Sequence, residues 1–115
     1  MKRLVTALFV GAATLSAGLT SAHADAARGR EVFTKVGCYQ CHGFEGQGAN
    51  TGPRIGPEPM DVEALKSFLR NASATAMPPY SEKLVSDGDV ADIHAFLASV
   101  KKPPSAKDIP LLNNR

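Results

Sequence analysis

The chain has 115 residues, with 13 Lys and Arg against 11 Asp and Glu, three His, two Cys and no Trp. That length suits one domain. The absence of a basic run, with only 6% aromatic residues, excludes the charge footprint and stacking platform of a nucleic-acid-binding protein.

The first segment reads as a leader rather than as fold. Lys2 and Arg3 precede an apolar stretch from Leu4 to Leu19, and Ser21-Ala22-His23-Ala24 places small residues where an A-x-A cleavage site needs them. This order predicts a secretory signal peptide over residues 1–24, cut after Ala24, and hence a periplasmic protein. Cutting there removes Lys2 and Arg3 and leaves 91 residues, with 11 of the 13 basic residues against all 11 acidic ones. The mature chain is then near neutral. The apolar stretch falls short of the roughly 20 residues that span a bilayer, and no later segment reaches that length. So short a mature chain buries limited apolar surface, which favours a cofactor within its core.

Three main helices are predicted. Gly29, Val32, Phe33 and Val36 recur at i, i+3, i+4 and i+7 and predict a helix over residues 26–36. Glycine costs a helix about 1 kcal/mol relative to alanine, so Gly29 on the packed face points to a close neighbouring helix. Residues 43–59 carry five glycines and three prolines and read as an irregular loop. Residues 61–71 regain a helical pattern, with Val62, Leu65, Phe68 and Leu69 inward and Glu63, Lys66 and Arg70 outward. A second loop runs from Ala72 to Tyr80. Ser86, with Asp89 three residues on, marks the start of a helix that buries Val90, Ile93, Leu97 and Val100. Pro103-Pro104 closes it, and residues 103–115 form an extended tail. No stretch alternates as a strand does, so the fold class is all-α.

The chemistry is concentrated in Cys38-Tyr39-Gln40-Cys41-His42, which holds both cysteines. A redox dithiol with this spacing belongs to a βαβ setting, which the chain lacks. A structural zinc site needs a fourth ligand, such as His94. A disulfide closing so short a loop stabilises little and leaves His42 unexplained. Covalent haem attachment accounts for all three residues: two thiols bonded to the two vinyl groups of a porphyrin and an adjacent imidazole for its iron.

The sequence resembles a class I c-type cytochrome. The resemblance runs from about Arg28 to Val100 and rests on GREVFTKVGCYQCHG, TGPRIG and MPPYSEKLVSDGDVADIHAFLASV in that order. It implies a cytochrome c domain over residues 25–102, with three main helices and irregular loops wrapped around one covalently attached haem c. It also implies that the first and last main helices cross closely, with Gly29 and Phe33 meeting Phe96 and Leu97.

A second axial iron ligand is sought among the methionines. Met77 lies in a loop, and Pro78 disfavours helical geometry there. It also matches the family's Met-Pro ligand motif. Met60, just ahead of a helix, reads as a packing residue. His94 sits roughly 80° from the centre of its helix's apolar stripe, at about 100° per residue, and reads as a partly exposed flank residue. The resemblance further implies that the carbonyl of Pro53 accepts from the second ring nitrogen of His42. Arg54 and the Tyr80 hydroxyl are candidate partners of the haem propionates.

These residues imply a one-electron carrier with His42 and Met77 on the iron and no enzymatic role. It would serve as a free shuttle or as the cytochrome subunit of an exported dehydrogenase. Its implied partners are such a dehydrogenase as donor and another cytochrome or an oxidase as acceptor. The alternative is a haem sensor or haem enzyme with an open sixth coordination site, against which the MPPY segment speaks.

Overall fold

The computed structural model describes residues 23–113, and the leader expected over residues 1–24 lies almost wholly outside them. The described residues form helices α1 (Ala26–Lys35), α2 (Tyr39–His42), α3 (Val62–Asn71) and α4 (Asp87–Ser99). A 3-10 turn (Ala106–Asp108) and a one-turn helix, α5 (Pro110–Asn113), follow. Among the described residues there is no strand, only an isolated bridge between Ala49 and Gly52. The fold is all-α, as the periodicity implied.

Each main helix begins at a side-chain cap. The Asp25 carboxylate accepts from the amides of Ala27 and Arg28, and Asp61 accepts from that of Ala64. At α4 the expected cap is a full capping box: Ser86 Oγ accepts from the Asp89 amide, and the Asp89 carboxylate accepts from the Ser86 amide, both at 3.1 Å. These bonds satisfy donors that the first helical turn leaves without partners.

The core forms where α1 crosses α4. Phe33 is completely buried and meets Phe96 edge-to-face, with ring centroids 5.4 Å apart. Val90, Ile93 and Leu97 complete the α4 side, with Val85 beneath it. A Cβ built on Gly29 would lie 1.9 Å from the Asp92 carbonyl oxygen, so only glycine permits this approach. α3 packs more lightly on α4 and buries Leu69.

Two expectations are corrected. Phe68 does not face inward but is half exposed. At about 100° per residue it stands roughly 90° from the centre of the Val62–Leu65–Leu69 stripe, which alone meets the core. The tail is not extended throughout, because the Asn113 amide gathers the carbonyls of Lys107 (2.7 Å) and Ile109 (3.0 Å) into short helical turns. The tail stays at the surface, with Leu111 and Leu112 exposed.

Candidate functional site

The Cys38–His42 segment leaves α1 and folds at once into the single turn α2. The amides of Cys41 and His42 donate to the carbonyl of Cys38, at 3.3 and 3.1 Å. Positions i, i+3 and i+4 share a face of such a turn, so both cysteines and the histidine are gathered on one side. Both thiols are free; Cys41 is exposed and Cys38 partly buried. Burial pushes the Cys38 thiol up to about 11.

His42 is buried, and its Nδ1 lies 2.8 Å from the carbonyl oxygen of Pro53. A carbonyl only accepts, so Nδ1 carries the proton and the lone pair is left on Nε2. Gly52 makes room for this contact. A Cβ there would lie 2.7 Å from the Cys41 carbonyl oxygen and 3.1 Å from His42 Cε1.

Met77 is half buried and packs against the core, whereas Met60 is exposed and stands apart from it. Tyr80 is buried; its amide donates to the Leu69 carbonyl at 2.8 Å, and its hydroxyl is directed at the Val36 carbonyl, 3.5 Å away. The hydroxyl thus lies against the segment that leads into Cys38. Arg54 is exposed and lines a groove with Lys101 and Lys102 beside the C-terminal end of α4. His94 is half buried on its helix flank. Among the described residues no group of three His, Cys, Asp or Glu side chains is placed to hold a metal ion directly, so a zinc site of Cys38, Cys41, His42 and His94 is not formed.

The sequence pattern marks Arg70 only as an outward charge. Its guanidinium donates to the Tyr80 carbonyl at 2.9 Å and to the Asp87 carboxylate at 2.8 Å. It thereby ties the segment after Met77 to α3 and α4. Its partners lie 10 and 17 residues away, and no local pattern announces them.

Beside the exposed Cys41, the rings of Tyr39 and Phe44 stack with centroids 4.6 Å apart and planes 20° from parallel. Phe44 and Gln40, beside the thiols in the chain, are exposed and uncharged.

An all-α fold, two free thiols and an imidazole on one helical turn, and a second nitrogen fixed by a backbone carbonyl define a class I c-type cytochrome. Residues 24–97 match the family model described as cytochrome c oxidase, cbb3-type, subunit III, and the chain belongs to that family. It is also similar to two proteins described as the cytochrome bc1 complex cytochrome c subunit. The one from Corynebacterium diphtheriae is 31% identical over 85 residues, covering 71% of this chain and 30% of the relative. The one from Corynebacterium efficiens is 30% identical over 84 residues, covering 70% and 28%. The chain therefore spans less than a third of the length of these relatives. No solved structure matches it at a significant level. The family implies haem c binding and electron transfer.

Proposed function

We propose that the protein is a periplasmic one-electron carrier holding one haem c, bonded through Cys38 and Cys41 and ligated by His42 and Met77. The observation that carries this reading is the His42 ring, whose Nδ1–H is committed to the Pro53 carbonyl while Nε2 keeps its lone pair. Nε2 is then the nitrogen that serves the iron, and the backbone contact holds the ring in one orientation and one tautomer.

The donor set suits the group. Cys38 and Cys41 are free thiols on one face of a turn, and each would hold the porphyrin as a thioether. Met77 brings a soft sulfur from a loop packed on the core. When bound, haem c supplies an iron that accepts and releases a single electron. A thioether axial ligand favours the reduced state and raises the potential. The buried Phe33, Leu97 and Tyr80 provide the apolar surroundings that limit water.

With both axial positions taken by side chains, the protein would bind no substrate at the metal and act as a carrier rather than an enzyme. No helix among the described residues is long and apolar enough to cross a membrane. With the export signal read at residues 1–24, this supports a periplasmic site of action. Similarity to cytochrome c subunits of bc1 complexes supports exchange with redox proteins, either as a free shuttle or as a subunit. The partners we propose are an exported dehydrogenase as donor and another cytochrome or an oxidase as acceptor. Absorption spectra before and after reduction, on protein whose mass includes one haem, test the assignment. A spectrum of a five-coordinate iron, or one that changes with added carbon monoxide at neutral pH, would replace the carrier by a haem with an open position.

A further inference from the structure

One end of the α1–α4 crossing is closed by charge. The backbone nitrogen of Asp25 donates to Asp92 Oδ1 at 2.7 Å. Arg28, in the first turn of α1, reaches Asp89 Oδ1 at 2.9 Å and Asp92 Oδ2 at 3.3 Å. The Asp25 carboxylate turns back onto the amides of Ala27 and Arg28. Two carboxylates of α4 therefore share a single guanidinium, while the Asp25 carboxylate is taken up by backbone amides. The side chains of Asp89 and Asp92 are only 17% and 15% exposed, so water screens this imbalance incompletely. Beside these groups Gly29 brings α1 close to the Asp92 backbone, where a Cβ would find no space.

We propose that cleavage between Ala24 and Asp25 supplies the missing cation: the Asp25 nitrogen, an amide in the uncut chain, becomes an ammonium held on the Asp92 carboxylate. The inference rests on the reading that the chain is processed after Ala24. His23 and Ala24 are exposed and lie outside any helix. Hydrolysis consumes one water, breaks the C–N bond, leaves a carboxylate on Ala24 and gives the released amine a proton. The existing hydrogen bond then becomes charge-assisted, which makes it roughly twice as strong. Processing would thus tighten the crossing on which the core is built.

The groups facing the new amine are the Asp25 carboxylate and Arg28 on the α1 side and Asp89 and Asp92 on α4. Carboxylates outnumber the guanidinium, so the ammonium form is favoured and titrates above the ordinary range of about 7.7–8.0. A folded-state pKa that is raised gives stability fully present below that range and lost as pH rises through the folded value.

Three holoproteins test this: the mature chain, a chain with one glycine added ahead of Asp25, and the mature Asp92→Asn variant. Intact mass establishes where the processed chain starts. The pH dependence of the Asp25 Cα shift in the reduced, 13C-labelled protein then reports the amine. In the mature chain it should titrate about one unit above the ordinary range, and in Asp92→Asn it should return to that range. The urea midpoint of the mature chain should exceed that of the added-glycine chain at pH 7, and the two should converge above the amine's pKa. An ordinary titration in a chain shown to start at Asp25 would overturn the clasp while leaving the cleavage reading intact. A processed chain that starts elsewhere would overturn both.

Discussion

His42 Nδ1 donates to the carbonyl oxygen of Pro53 at 2.8 Å, across eleven residues of glycine-rich loop. Because the acceptor is backbone, no side-chain deletion removes it, but Gly52 provides a way to disturb it. Gly52→Ala would press a methyl group against the Cys41 carbonyl and the His42 ring. Loss of a neighbour that orients a metal-bound histidine typically costs 10–100-fold in metal affinity or activity. Here the expected outcome is a His42 ring turned from its position, read as a shifted reduction potential and altered histidine resonances in the paramagnetic NMR spectrum. An unchanged spectrum and potential would show that the ring is held by other contacts.

Covalent attachment is tested by mass. Under denaturing conditions, protein from a host able to attach haem should appear as the chain from Asp25 plus one haem. Cys38→Ser and Cys41→Ser together should release the haem into acidified organic solvent. A mature mass lacking the increment removes the central assignment.

Met77 and Met60 should behave oppositely. Met77→Ala is expected to abolish the weak red-edge band of sulfur-to-ferric-iron charge transfer and to lower the potential, because it removes the thioether that favours reduced iron. Met60, exposed and away from the core, should leave both intact when changed to alanine. The reverse pattern would move the ligand to Met60.

Stability should respond sharply at the helix crossing and mildly at the cap of α4. Gly29→Ala inserts a methyl group where the Asp92 carbonyl already stands and should cost about 3 kcal/mol, against the roughly 1 kcal/mol that alanine returns in helix propensity. Ser86→Ala should cost about 1 kcal/mol. Urea denaturation of the holoprotein measures both.

The same cap predicts an acid dependence. The Ser86 side chain, with its backbone amide and Arg28 behind it, holds the Asp89 carboxyl below the usual carboxylate range. Arg70, with Lys66 behind it, does the same for Asp87. Depressed folded-state values mean stability that is present above the unfolded value of about 3.9 and lost as pH falls through the folded one. Unfolding midpoints should therefore drop between pH 5 and pH 3, and Asp89→Asn should flatten part of that drop. A variant with the same drop as the parent would place the titrating groups elsewhere.

Electron transfer with the physiological partner should depend only weakly on ionic strength. Near the exposed Cys41 in the chain, Tyr39, Gln40 and Phe44 are uncharged, with the two rings stacked. The chain after Ala24 carries equal numbers of basic and acidic residues, so steering by net charge is absent. Gln40→Glu or Phe44→Lys should slow transfer by placing charge in a neutral contact. Stopped-flow rates across a salt series decide it, and a steep fall with added salt would show that lysines or acids govern docking.

What was legible in the sequence was local. The Cys38–His42 segment needs only one helical turn to bring its two cysteines and its histidine to i, i+3 and i+4, and spacing alone specifies that. The helix start at Ser86 is equally readable, since the cap and its partner Asp89 lie within three residues, and the caps at Asp25 and Asp61 obey the same local rule. Gly29 announced a close helix because a glycine on a packed face has little other reason to be there. The pattern failed at Phe68, where periodicity marks a residue as apolar without saying how wide a stripe the neighbouring helix covers.

Only the tertiary structure decided the pairings between distant segments. Arg70 with Tyr80 and Asp87, the Tyr80 hydroxyl with Val36, and the Asp25 nitrogen with Asp92 span 10 to 67 residues. Each depends on the angle and depth at which α1 and α3 meet α4. Those are set by the summed packing of Phe33, Leu69, Phe96, Leu97 and their neighbours rather than by any one motif. The sequence by itself determined a helical chain of the c-type cytochrome family, with Cys38, Cys41 and His42 within one turn. How the surrounding charges and carbonyls close around that turn followed from packing, because close-packed side chains admit few arrangements and only the assembled core selects among them.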